Sequence, residues 1–211
     1  MKQLKFITTL LLIIFSTLTF AQGFEGKIEF TRKNTFDETN YVYYVSHGHV
    51  KIDELNKKGA VVGTMLVDLK TKTATSINHE RKMYMDVKTK PSTKDLSKCQ
   101  TFKTTEKKVI LGQKCTKWVV KNSDFKSKGE YWVIDGGNYF FFKDLLSVLN
   151  RKDKIALYFM QIPENAGYFP IMGKEIGDDG TVKAELITKK ITRKKYSDDF
   201  FKLPEGYKKF N

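Results

Sequence analysis

The stretch FEGKIEF, Phe24 to Phe30, sets Phe24, Gly26, Ile28 and Phe30 on one side of an extended chain and Glu25, Lys27 and Glu29 on the other. Alternation of period two marks a strand with one face in a core and the other in water. The same period returns in NYVYYVS (40–46), HVKIDEL (49–55), VVGTMLVDL (61–69), TATSIN (73–78), KMYMDV (82–87), KKVILG (107–112), CTKWVVK (115–121) and EYWVID (130–135), and a long strand follows at TVKAELITKKITRKK (181–195). Turn-like pieces such as NKKG, LKTKT and NHERK separate them. Short linkers between alternating strands predict an antiparallel meander of about ten strands.

One segment breaks the pattern. In NYFFFKDLLSVLNRKDK (138–154), Phe141, Phe142, Leu145, Leu146 and Leu149 recur at helical spacing behind Asn138, a plausible N-cap, so a helix is predicted from about Tyr139 to Arg151. PSTKDLSK (91–98) predicts a shorter second helix, with Pro91 tolerated in its first turn. An apolar run, IALYFMQI (155–162), leads into a stretch read as irregular, PENAGYFPIMGKEIG (163–177). A sheet of this size with so little helix must close, stack on a second sheet, or curl around the helix. The expected fold is therefore mainly β (α+β): a curved antiparallel sheet or incomplete β-barrel wrapped around one or two helices. No internal repeat or long linker divides it, so residues 22–211 read as a single domain.

The first residues, MKQLKFITTLLLIIFSTLTFA (1–21), carry Lys2 and Lys5, an apolar run from Phe6 to Ile14 and a small residue at Ala21. This is the layout of a secretory signal peptide, and the run is shorter than the roughly 20 residues of a membrane span. The reading places the protein in the periplasm or outside the cell. Removing Lys2 and Lys5 lowers the formal charge from +14 to +12. Such a surface suits anionic lipid headgroups or acidic glycans, and an exported protein has little occasion to meet nucleic acid. Interspersed acids equally allow lysine to act as a solubilising residue. A monomer is expected.

Cys99 and Cys115 are the only cysteines. In an oxidising compartment an even count favours a disulfide, closing a loop of about 17 residues; two buried thiols or a redox pair are the alternatives. His47 and His49, in SHGH, would share a strand face as a metal site needs, with His79 or Glu80 as a third ligand. The competing reading is a hairpin tip with Gly48 at a positive φ. The chain holds no H-E-x-x-H, G-x-S-x-G, P-loop or G-x-G-x-x-G. No catalytic residue and no cofactor is assigned, and the expected role is non-enzymatic.

Apolar and aromatic material is abundant instead, with sixteen phenylalanines and ten tyrosines. Several strands are apolar on both faces, so one face can pack a core while the other lines a cavity; methionine adapts well to varied apolar ligands. Tyr43, Met65, Met83, Met85, Trp132, Phe141, Leu145 and Met160 are the candidate lining residues, against the simpler reading of a two-layer core.

The last third of the chain, from Gly167 to Phe210, resembles exported envelope proteins related to the LolA and LolB lipoprotein-sorting carriers. More closely, it resembles a family of that superfamily known only as a domain of unknown function. The resemblance rests on the Phe169-Pro170 step, the GDDG turn (177–180), the long strand ending near Lys195 and the close FFKLPEGY (200–207), and KVILGQKCTKW (108–118) is similar to the family's glycine-turn-cysteine strand. It implies an incompletely closed barrel around helices, with a cavity that in the carriers receives acyl chains. The residues that gate the carriers have no residue-by-residue match here. The closing motif itself reads as a latch: Phe200 or Phe201 packs into the sheet edge, Pro204 stops pairing, Gly206 turns and Tyr207 folds back. Two functions follow. A carrier of a lipid or other lipophilic molecule needs an unfilled apolar pocket of about 300 Å3 or more, whereas a structural or protein-interaction component of the envelope would be close-packed.

Overall fold

A computed structural model of the protein describes residues 23–88 and 96–210. The expected signal peptide and most of the expected helix at 91–98 lie outside these residues. The strands are β1 (Gly26–Asn34), β2 (Glu38–Ser46), β3 (His49–Leu55), β4 (Val61–Asp68), β5 (Thr73–Asn78), β6 (Met83–Asp86), β7 (Cys99–Ile110), β8 (Gln113–Asn122), β9 (Ser127–Ile134), β10 (Phe169–Gly177), β11 (Val182–Arg193) and β12 (Lys208–Lys209). Two α-helices are described, α1 (Phe140–Leu149) and α2 (Lys154–Phe159).

The strands form one open sheet in the order β12-β6-β5-β4-β3-β2-β1-β11-β10-β9-β8-β7. It consists of two meanders, β1 to β6 and β7 to β11, joined where the first strand pairs antiparallel with β11 from Gly26 opposite Arg193 to Asn34 opposite Ala184. The expected mainly β fold, an unclosed antiparallel sheet with helices on it, is what the chain adopts. Two-residue turns hold the hairpins in register: His47 and Gly48 (φ 52° and 84°) link β2 to β3, and Leu111 and Gly112 (φ 49° and 73°) link β7 to β8. Paired positive φ values match the twist of the flanking strands.

Two strands depart from the sequence reading. β7 begins at Cys99, eight residues before the alternating run, because it is a sheet edge whose residues are largely exposed on both faces, so hydrophobic period carries no signal there. β10 runs through the stretch read as irregular. Phe169, Pro170 and Ile171 are all buried, giving a solid apolar run in place of alternation. Pro170, which has no N–H for the ladder, sits where the register with β9 shifts.

The helices pack on one face of the sheet. α1 falls within its expected span, but its N-cap position is held by Tyr139 without a side-chain cap; Tyr139 instead stacks on Phe24 and Phe169. Asp153 caps α2, its carboxylate accepting a 3.1 Å hydrogen bond from the Ala156 N–H.

The expected Cys99–Cys115 disulfide is not formed; both cysteines are free thiols. Cys99 lies opposite Asn122 and Cys115 opposite Lys108 on the β7–β8 ladder. Seven residues of extended chain separate the two positions, about 23 Å at ~3.3 Å per residue, where a disulfide requires Cα atoms within about 7 Å.

The C-terminus folds back as a latch, but its phenylalanines Phe200 and Phe201 land on the face of the interior strands β2 and β3 instead of the expected sheet edge, which the chain reaches only from Lys208 onward. Tyr196 and Phe200 pack edge-on against Tyr44 of β2, Lys51 Nζ lies 4.7 Å above the Phe200 ring, and Phe201 stacks on His49. Gly206 turns at φ 77°, and Lys208–Lys209 pairs parallel with Met83 and Tyr84 at the sheet edge. The segment thus crosses the face opposite the helices.

Candidate functional site: an apolar cavity beneath the helices

The register builds the cavity floor. Ile28, Tyr43, Ile52, Met65, Ser76 and Met85 lie opposite one another in one row across β1 to β6, and Phe30, Tyr41, Glu54 and Gly63 form the next row on the same face. Phe142, Leu146 and Leu149 of α1, and Ile155 and Phe159 of α2, roof the centre of these rows. The cavity is about 200 Å3 and open to solvent on one side, with Arg32, Glu54, Arg151 and Asp153 among its polar lining residues. That falls short of the roughly 300 Å3 set for a carrier's pocket, and because the cavity opens to solvent on one side it would enclose only part of a ligand, such as one apolar chain or ring.

Of the eight lining candidates, Tyr43 and Met65 line this cavity. Leu145 is fully buried in the core, and Phe141 is buried against Phe24 and borders a separate surface cleft near His47 and Lys70. Met83 and Met85 lie in a shallow groove with Phe210 at the β6 edge. Trp132 is half-buried, with Lys108 Nζ 5.9 Å over its ring, and Met160 ends α2 against the core. The lining residues missed by sequence reasoning, such as Phe30, Tyr41 and Ile52, were signalled by strand alternation. Their convergence needed the cross-strand register.

Tyr43 is 7% exposed, and among the described residues its hydroxyl has no hydrogen-bond partner. Burial is the main cause that raises its pKa, with the nearby Tyr41 and Asp153 adding to it. At the rim Asp153 Oδ1 pairs with Arg32 Nη2 at 3.0 Å, while Oδ2 accepts a 3.0 Å hydrogen bond from Arg151 Nε. This triad ties the inner face of β1 to the segment joining the helices.

The opposite face of the sheet holds a polar chain. Thr64 Oγ1 donates to Asp53 Oδ1 at 2.6 Å; its one proton being committed, it accepts from His79 Nε2 at 2.7 Å, and His79 Nδ1 then accepts from the Tyr207 hydroxyl at 2.9 Å. A histidine that donates to a hydroxyl does not activate it as a nucleophile. The chain instead ties buried Asp53 to the C-terminal latch. His47 contacts Asp198 (2.8 Å) and Glu25 (3.6 Å), while His49 faces Phe201, so the SHGH histidines serve a hairpin tip and the latch. Among the described residues no group of three His, Cys, Asp or Glu is placed to hold a metal ion.

The fold is similar to that of a crystal structure of an uncharacterised conserved protein from Thermus thermophilus, with TM-score 0.54, 8% identity, and coverage of 88% of this chain and 90% of that one. The chain belongs to the family described as "Domain of unknown function (DUF4412)", whose model matches residues 24–207. Looser superpositions include the Pseudomonas aeruginosa MucA/MucB complex (TM-score 0.47, 9% identity, 83% of this chain, 54% of that one). Another is a Vibrio parahaemolyticus protein described as an outer membrane lipoprotein-sorting protein domain (TM-score 0.32, 10% identity, 83% and 87%). No curated protein matches the sequence.

Proposed function

We propose that this is an exported, non-enzymatic binding protein that holds a lipophilic ligand in the cavity between the sheet and α1–α2. The observation that carries the reading is the floor of Tyr43, Ile52 and Met65, which the helices roof without filling. Close-packed interiors leave few voids larger than a water molecule. Exposed lysines on the β7–β8 hairpin, Lys107, Lys108 and Lys114, would bring the protein to anionic headgroups. The protein-interaction alternative rests on the same edge, where Phe102, Val109 and Leu111 are exposed beside the lysines.

Native mass spectrometry of the protein taken from its own exported compartment, followed by organic extraction, tests the proposal. A stoichiometric lipophilic mass that extraction removes is expected. A bare polypeptide mass that takes up no fluorescent fatty acid would overturn the carrier reading and favour a protein partner.

A further inference from the structure

The polar side of the cavity is built unlike the rest of its wall. Arg32 projects from β1 two residues after Phe30, on the same face, and Arg151 comes from the segment between the helices. Each guanidinium is about one-quarter to one-third exposed, and among the described residues each makes its one ion pair with Asp153. A guanidinium offers five N–H donors, so one shared carboxylate leaves most of them unused and one positive charge unbalanced. Glu54, on the same rim, is exposed and lies two strands from Arg32, about 10 Å at the inter-strand spacing. A second observation is independent of the arginines. Tyr43, more than nine-tenths buried, presents a hydroxyl without a protein partner at the same cavity, close enough to Asp153 to feel its charge.

Resting on the binding reading above, we infer that the ligand is a single-chain amphiphile with an oxyanion headgroup. Its chain lies over Ile52 and Met65, and its carboxylate or phosphate monoester is held by Arg32, Arg151 and the Tyr43 hydroxyl. Guanidinium is suited to this task because its planar fork matches both oxyanions in a two-point contact. A cavity of about 200 Å3 has room for one chain.

The test is calorimetric titration of the delipidated full exported protein with decanoate, decyl phosphate, decanol, acetate and inorganic phosphate. Decanoate or decyl phosphate is expected to bind one to one and at least tenfold more tightly than decanol, and the tighter of the two identifies the headgroup source. Arg32→Gln and Arg151→Gln are each expected to weaken the anionic amphiphile at least tenfold and leave decanol unchanged. Arg151 lies outside the strands, so its variant remains informative if Arg32→Gln fails to fold. Gly63→Phe puts a ring at the cavity wall, where a Cβ meets nothing within 4 Å, and it should abolish binding of every chain-bearing probe. Equal affinity for decanol and decanoate would overturn the headgroup inference and leave the cavity reading intact. Equally tight binding of acetate or phosphate would overturn the amphiphile in favour of a simple anion site. No binding of any chain-bearing probe, or binding indifferent to Gly63→Phe, would overturn the cavity reading itself.

Discussion

The Tyr131 hydroxyl donates a 2.7 Å hydrogen bond to the carbonyl oxygen of Ile155, and this buried contact hangs α2 from strand β9. The tyrosine ring fits because its neighbours are glycines. A Cβ at Gly173, directly opposite on β10, would stand 3.0 Å from Tyr131 Cδ1, and one at Gly129 would stand 2.7 Å from the hydroxyl. Tyr131→Phe should keep the ring packing and lose the bond, at a cost of about 0.5–1.5 kcal/mol, because the Ile155 carbonyl keeps its partner within the helix. Urea unfolding of the variant checks this, and an unchanged midpoint would show that α2 is held by packing alone.

At the seam joining the two meanders, Gly26 lies so close to β11 that a Cβ would collide with the Thr192 carbonyl oxygen. Gly26→Ala should therefore destabilise the whole sheet more than Gly63→Ala, whose Cβ meets open space. Thermal unfolding of the pair gives the comparison; equal midpoints would mean that the seam yields freely.

The thiols supply a chemical test of the β7–β8 register. Burial pushes the Cys115 thiol up to about 11, only partly offset by a backbone hydrogen bond from Ile110, so at pH 8 almost none of it is thiolate. Ellman's reagent should find two thiols per chain in denaturant, and Cys115 should react slowly in the native protein. No thiols in denaturant would mean that the cysteines are bridged and the register is wrong.

The latch closes over buried polar groups as well as aromatic rings. Tyr207→Phe leaves His79 Nδ1 without its donor, whereas Phe200→Ala strips an aromatic ring from Tyr44 and Lys51. Loss of the larger side chain should dominate, at about 2–4 kcal/mol given that Phe200 is only half-buried. Proteolysis near residue 196 should accelerate in Phe200→Ala and little in Tyr207→Phe. The reverse order would make the polar chain the stronger tie.

Acid stability should report on the Asp135 carboxyl. Burial raises its pKa, but a 3.1 Å pair with Lys103 and a hydrogen bond from Thr116 together outweigh that and hold it below the usual carboxylate range. A carboxyl lowered by folding stabilises the protein above its unfolded value, about 3.9, and loses that contribution as the pH falls through its folded value. The drop in melting temperature between pH 5 and pH 3 should be smaller in Lys103→Ala than in the parent. An identical drop would place the acid sensitivity elsewhere.

Local pattern alone determined much of this protein. Alternation located most of the strands, helical spacing located α1, and the closing FFKLPEGY was readable as a latch because its aromatic, proline, glycine and tyrosine roles are set by short-range chemistry. Only the tertiary structure decided where pattern was silent. β7 at an open edge and β10 buried on both faces show no alternation, since that period appears only when the two faces of a strand meet different surroundings. The cysteine count favoured a bridge, and the ladder carried the two thiols about seven residues apart. The cavity was legible as a surplus of apolar residues but not as a place, because Tyr43, Ile52 and Met65 are distant in sequence and become neighbours only through strand register. The Arg32–Asp153–Arg151 rim is decided in the same way, by the capping residue of α2 reaching β1, a contact between parts of the chain more than a hundred residues apart.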